Sequence, residues 1–237
     1  MATATLEVLP EVGKFLDKPE QRPWVGGKEA NAADGATFET HDPGSGEKLA
    51  TVPHFNERDV DAAVSAAQRA FEKSGWATLP PNERGAMLHR LADEVERRLA
   101  IIAQIEALDA GKIEAQAQGD VANFVATVRY FADLAQHVNR HNTLAVKGHE
   151  AWTMRQPWGP CGFIFPWNFP FLLIGWGIAP ALAAGNTVVI KPAEDTPLSA
   201  LYLGKLAEQV GIPGGVINVV TGDGESAGAA LARHPGL

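Results

Sequence analysis

From residue 56 onward the apolar positions recur at helical spacing. Val60, Ala63, Val64, Ala67 and Phe71 fall on one face. Asn56 precedes them as a helix N-cap, with Asp59 placed to complete a capping box and Gly75 as the stop. A second helix is predicted after Pro80-Pro81, with Met87, Leu88, Leu91, Ala92, Val95 and Leu99 aligned. It breaks or bends into a third through Ile102, Ile105 and Leu108, which ends at Gly111. A fourth is predicted from about residue 120 to 137 on Val121, Phe124, Val128, Phe131 and Leu134. Upstream, residues 20–55 alternate short extended runs with Gly26-Gly27, Asp34-Gly35 and Asp42-Pro43-Gly44-Ser45-Gly46, which predicts small β-hairpins.

Beyond residue 140 the pattern changes. Residues 144–156, turning at Gly148-His149, predict a two-stranded ribbon. Residues 161–165 predict a short apolar strand and residues 169–184 a buried helix that stops at Gly185. A second strand follows at 187–190. Thr196 as N-cap with Pro197 behind it opens a helix to Val210, which stops at Gly211. A third strand is predicted at 216–220 and a last helix at 226–232. Strand–helix alternation with crossovers of this length predicts an α/β fold with a parallel sheet covered by helices. Three parallel strands make a small sheet with an edge that should pair with more sequence, so an incomplete domain is expected.

Composition narrows the class. The chain has 237 residues, 46% hydrophobic and 20% charged, which excludes a disordered chain and supplies a sizeable core. Twenty basic against 28 acidic residues give a net charge of −8, which argues against nucleic acid or an anionic membrane as partner. No basic n-region with an apolar h-region opens the chain, and the apolar run 163–184 is broken by Pro166, Asn168, Pro170, Gly175, Gly177 and Pro180. It reads as a buried strand and helix rather than a membrane span, and a cytoplasmic protein is expected. A single Cys excludes an internal disulfide framework.

Two segments could carry chemistry. Pro160-Cys-Gly-Phe-Ile-Phe-Pro-Trp-Asn-Phe-Pro170 runs from a strand's carboxyl end into a helix, the edge where open parallel sheets bind ligands. Asn168 could donate amide hydrogens to a developing oxyanion, or could cap the following helix with Trp167 in the core. Lys191-Pro-Ala-Glu-Asp-Thr196 lies at the next strand's end. Its Lys and Glu could hold the hydroxyls of a nucleotide ribose, favouring NAD over NADP, or form an exposed pair on a solvated turn. Gly222-Asp223-Gly224 with Gly228 departs from the G-x-G-x-x-G phosphate loop and reads as a tight turn before a helix. Cys161 sits in an apolar strand without a cationic neighbour and reads as a small hydrophobe. His137 and His141 have a metal pair's spacing but lack a third ligand, so no metal site is expected.

The motifs PWNFP, APALAAGN, KPAEDTP, GIPGGVINVV and GDGESAGAAL, with DPGSGE, WATLPPNERGAMLHRLADEVE and LDAGK upstream, resemble the aldehyde dehydrogenase superfamily from about Arg22 to Leu237. The resemblance implies a Rossmann-like parallel sheet of that type, preceded by a mainly helical N-terminal part with small hairpins. It implies an arm at residues 1–55, a helical part at 56–140, an oligomerisation hairpin at 141–157 and the first half of the NAD-binding sheet at 158–237. It also implies NAD-dependent oxidation of an aldehyde to a carboxylic acid through a thiohemiacetal, in a homodimer or homotetramer.

Carried over by this resemblance, Asn168 is the oxyanion donor, and Phe165, Pro166, Trp167 and Asn168 border the nicotinamide pocket. Lys191, Ala193 and Glu194 hold the adenosine ribose, and Gly224 and Gly228 lie near the adenine end. Asn123, Phe169 and Trp176 resemble the aldehyde tunnel, and the region of Asp109 and His41 resembles one where some members hold a monovalent cation. The family's nucleophilic Cys and general-base Glu fall beyond Leu237, and Cys161 does not align with the nucleophile. The expectation is therefore the N-terminal part of such an enzyme, inactive alone. The alternatives are a non-catalytic nucleotide-binding or assembly module of the same family, and an enzyme of another class using Cys161.

Overall fold

The computed structural model describes residues 7–138 and 140–237, so the first six residues of the N-terminal arm lie outside the described residues. Helix α1 (Pro10–Leu16) opens the description, followed by two antiparallel hairpins, β1 (Trp24–Val25) with β2 (Lys28–Glu29) and β3 (Thr37–His41) with β4 (Lys48–Pro53). Four helices follow: α2 (Glu57–Lys73), α3 (Pro81–Arg97), α4 (Leu99–Ala110) and α5 (Glu114–His137). The capping box at α2 forms as its sequence predicts, the Asn56 side chain accepting from the backbone and Asp59 from the Asn56 amide. Helix α5 starts six residues before the apolar pattern does. Residues 114–119, Glu-Ala-Gln-Ala-Gln-Gly, carry the helix outward with only Ala117 buried and no large apolar side chain, so no periodic signal marks them.

The hairpin β5 (His141–Val146) and β6 (His149–Met154) stands away from the body, with nearly every residue exposed. Leu144 and Val146 point to one face, Trp152 and Met154 to the other, each at least 45% exposed. The last region alternates β7 (Pro160–Ile164), α6 (Pro170–Ala184), β8 (Thr187–Lys191), α7 (Leu198–Gln209), β9 (Ile217–Val219) and α8 (Ala229–Arg233). The three strands pair in parallel in the order β7-β8-β9. Strand β8 is buried on both faces, which is why it reads as a continuous apolar run. Val188 and Ile190 face the larger core with α6 and α7, whereas Val189 joins Phe55, Val60, Val64 and Leu231 on the α2 and α8 side.

Glycine lets the helices approach closely. A Cβ at Gly175 would lie 2.7 Å from the Phe124 ring, and one at Gly85 would lie 2.9 Å from the Ala132 carbonyl oxygen. Helix α5 is therefore held tightly between α3 and α6. The predicted cap at Thr196 is not made. Pro197 occupies the cap position of α7, and the Leu198 amide donates instead to Asp109 Oδ2 of α4 at 2.8 Å. A buried carboxyl group reaching in from another helix displaces the local hydroxyl, and Thr196 Oγ1 is left buried without a partner among the described residues. No helix among the described residues is long and apolar enough to cross a membrane.

Candidate active site at the carboxyl edge of the sheet

Strand β7 runs into a turn that carries the first candidate residues. The Phe165 amide donates to the Lys191 carbonyl at 3.0 Å, continuing the sheet one residue past β7. The Phe165 ring lies parallel to Phe163 at 5.8 Å and packs where Gly177 leaves room, so this side chain belongs to the core. Pro166, Trp167 and Asn168 then emerge onto the surface. Trp167 is 60% exposed, which removes the reading that buries it. The N-cap of α6 is Phe169 and receives no side-chain hydrogen bond, so Asn168 does not cap that helix. Among the described residues the Asn168 amide has no hydrogen-bond partner, which leaves both its N–H donors available.

This turn is fixed from beneath by buried charge. Lys112 Nζ lies 2.9 Å from Asp120, 3.3 Å from Glu106 and 5.1 Å from the centre of the Phe169 ring. Glu106 Oε2 also faces the Phe171 amide in the first turn of α6 at 3.5 Å. All three charged side chains are less than 10% exposed. Burial pushes the Glu106 carboxyl above the usual carboxylate range, against the pull of Ser199 and Lys112. The sequence reading missed this cluster. The available signal was a charged Glu106 and Asp109 within the otherwise apolar LAIIAQIEALDA, since charges on such a helix must be buried and need partners.

At the end of β8, Lys191 is 2% exposed and its Nζ lies 2.9 Å from Glu194 Oε2. The exposed-pair reading is thus corrected: the ammonium is in the interior and only the carboxylate reaches outward. Burial raises the Glu194 pKa, but the Lys191 hydrogen bond and backbone amides outweigh it, and the carboxyl stays below its ordinary value. Above the Lys191 stem sits one π-helical turn (Gly224–Gly228) ahead of α8, where a Cβ at Gly228 would be 3.8 Å from the lysine methylenes. The helical structure thus begins two residues earlier than the pattern predicted. Asp223 caps this turn through the Ser226 amide and hydroxyl, at 2.6 and 2.7 Å, and faces His54 at 3.2 Å. The Ser226 hydroxyl is the largest cause of an Asp223 pKa near 2. Ala193 is half-buried between these groups and Gly224 is exposed.

The residues matched to the aldehyde approach separate. Trp176 Nε1–H donates to Asn123 Oδ1 at 2.8 Å, and the Thr127 hydroxyl donates to the same oxygen at 3.3 Å. Trp176 is 53% exposed and lines a hollow of about 460 Å3 with Tyr130 and Phe131. Phe169 is not part of that hollow; its ring faces Lys112. A second hollow of about 320 Å3 joins Trp167 and Glu194 to Asp109 and Thr40. Asp109 accepts from the Thr40 hydroxyl at 2.8 Å, and complete burial raises its pKa to about 8. Cys161 is half-buried with its thiol toward the Gly159 carbonyl at 3.7 Å, and burial raises its pKa, the opposite of what activates a thiolate.

Residues 30–237 match the aldehyde dehydrogenase family. The chain belongs to the aldehyde dehydrogenase family. Retinal dehydrogenase 2 of Homo sapiens is 43% identical over 237 residues, covering 99% of this chain and 46% of its own length. An aldehyde dehydrogenase of Aspergillus niger is 44% identical over 211 residues, covering 89% of this chain and 42% of its own. Among solved structures, the NAD+ complex of the Bacillus cereus aldehyde dehydrogenase superposes with a TM-score of 0.94 at 40% identity, covering 98% of this chain and 47% of that one. Betaine aldehyde dehydrogenase of Staphylococcus aureus, also in complex with NAD+, gives a TM-score of 0.91 at 31% identity, covering 96% and 45%. The fold is that of an aldehyde dehydrogenase, and the chain spans less than half the length of these relatives.

Proposed function

We propose that this chain forms the N-terminal part of an NAD-dependent aldehyde dehydrogenase that oxidises an aldehyde to a carboxylic acid, with Asn168 as its oxyanion donor. One observation carries the reading: an exposed Asn amide with no hydrogen-bond partner among the described residues, in a turn pinned by Lys112 and Glu106 at the carboxyl edge of a parallel sheet. A donor held in place before reaction costs no reorganisation when charge develops on the carbonyl oxygen. Glu194 presents its carboxylate outward to a vicinal diol beside the Gly224–Gly228 turn, with the Lys191 ammonium 2.9 Å behind it, an arrangement that fits the adenosine ribose. When bound, NAD supplies the hydride acceptor. Its ribose is held by Lys191, Ala193 and Glu194, with Gly224 and Gly228 at the adenine end and residues 165–168 at the nicotinamide end.

Trp176 and Asn123 border the aldehyde's approach, and Phe169 supports the Asn168 turn. We assign the thiolate nucleophile and general base to the portion of the family that this chain does not span; among the described residues Cys161 has no activating neighbour, and burial raises its pKa. We assign residues 1–55 to an arm, 56–140 and 158–237 to the cofactor-binding part and 141–157 to an oligomerisation hairpin. The apolar side chains exposed on both faces of that hairpin support assembly into a dimer or tetramer. The single unpaired Cys supports the cytoplasm as its compartment.

The test joins the chain to the C-terminal part of the Bacillus cereus relative and follows NADH absorbance with an aldehyde. Activity is expected, and Asn168→Ala should lower kcat by roughly a hundredfold or more. An unchanged kcat would remove Asn168 from the mechanism.

A further inference from the structure

Helix α4 reaches the first turns of both helices that follow the candidate loops. Glu106 and Asp109 stand three positions apart on it and so project from one face. Glu106 Oε2 faces the Phe171 amide at 3.5 Å, just after the Asn168 turn, and Asp109 Oδ2 accepts from the Leu198 amide at 2.8 Å, just after the Lys191–Thr196 loop. The first amides of a helix have no partner within it, so an acceptor there holds the helix start in place. Glu106 also reaches toward the second helix. Its Oε1 and the Ser199 hydroxyl in the first turn of α7 are both buried and bonded to no other group among the described residues. Ser199 is also the strongest pull against the burial that raises the Glu106 pKa.

The same two loops are joined where they leave the sheet, the Phe165 amide donating to the Lys191 carbonyl at 3.0 Å. Each loop is therefore tied to the other at its start by the sheet and at its end through α4. Glu106, Asp109 and Ser199 are at most 2% exposed, so this bridge is complete within the chain. Stability alone gives no reason for a carboxyl at position 106, since apolar residues of similar volume commonly serve a buried site as well. A fixed spacing between two loops does require directed bonds.

We propose that Glu106 is a positioning residue, holding the Asn168 turn and the Lys191–Glu194 loop at a set separation so that Asn168 stays aligned with the reacting carbonyl when a ribose is seated at Glu194. The proposal rests on the roles given above to Asn168 and Glu194. Its test uses the joined enzyme, which contains the whole chain and whose turnover reports its folding. Glu106→Met keeps the volume and leaves Lys112 paired with Asp120, but cuts the bridge at both helices. The Kd for NAD, titrated by tryptophan fluorescence without aldehyde, should rise about threefold or more, and kcat should fall about tenfold or more. Glu106→Gln can still accept from the Phe171 amide and donate to Ser199 Oγ, and should stay within about threefold of wild type in both. In an Asn168→Ala background, Glu106→Met should lower kcat by less than about twofold while the rise in Kd persists, because the group it positions for turnover is gone.

Ser199→Ala cuts the bridge at α7 and removes no charge, so it serves should Glu106→Met not fold. It should raise the Kd for NAD about twofold or more. An unmoved Kd in Ser199→Ala, a loss in Glu106→Gln as large as in Glu106→Met, or the same kcat loss with and without Asn168 overturns the proposal. An unchanged kcat in Asn168→Ala alone is a different failure, which removes the oxyanion reading and the bridge's catalytic purpose with it. A kcat that falls in Asn168→Ala but not in Glu106→Met removes the bridge alone.

Discussion

Replacing Lys112 with Met removes the single cation from a buried trio and leaves Glu106 and Asp120 facing each other without compensation. The methylene stem is roughly conserved in volume, so the loss is electrostatic rather than a cavity. Deleting one partner of a buried ion pair typically costs about 3–5 kcal/mol. For a chain of this size, that corresponds to a fall in Tm of about 6–20 °C. The loss should also depend on pH. Without Lys112 the Glu106 carboxyl, already raised by burial, loses a neighbouring charge that lowers it and rises further above its unfolded value. An acid raised in the folded state contributes stability fully present below its unfolded pKa and lost as pH rises through its folded pKa. Lys112→Met should therefore lie furthest below wild type at pH 8 and recover part of the gap at pH 5. Urea unfolding followed by tryptophan fluorescence at both pH values measures this. A variant within about 1 kcal/mol of wild type at pH 8, or a gap that does not change with pH, would refute the reasoning.

Three further outcomes are expected. Gly175→Ala places a methyl 2.7 Å from the Phe124 ring, against a side chain already buried beside Phe171, and should destabilise by about 1–3 kcal/mol with an unchanged urea m-value. Asp109, with its pKa near 8, takes up a proton on folding at neutral pH, so wild-type stability should fall as pH rises from about 4 to 8, by at most about 1.4 kcal/mol per pH unit. Asp109→Asn cannot ionise, and its stability measured across that range should be flatter. In the joined enzyme, Glu194→Gln removes a half-exposed carboxylate that would repel a 2′-phosphate, and the NADP-to-NAD ratio of kcat/KM should rise about tenfold or more. An unmoved ratio would end the ribose assignment.

The features legible in the sequence are those whose causes lie close together along the chain. Asn56 and Asp59 are three residues apart, so their capping box could be read directly. The alternation that gives β7, β8 and β9 is likewise local, as are the stops at Gly111 and Gly185, which both adopt positive φ. Where partners lie far apart the reading was incomplete. Thr196 has the local chemistry of a cap, but Asp109 takes the role from 89 residues away. Whether Asn168 caps a helix or waits for a ligand could not be decided from its neighbours, because both readings need the same residue at the same spacing. The exposed-pair reading of Lys191 and Glu194 failed for a related reason: adjacency in sequence says nothing about the π-helical turn that covers the lysine stem.

The bond from the Leu198 amide to Asp109 has a consequence for motion. Amides in a helix's first turn ordinarily exchange their hydrogens with solvent quickly, since fraying that turn frees them at little cost. Here the acceptor is the buried Asp109 carboxyl group on α4, so the start of α7 can loosen only if the two helices separate. Leu198 should accordingly exchange on the slow timescale of the core, and that one amide becomes a reporter of whether α4 and α7 are still docked.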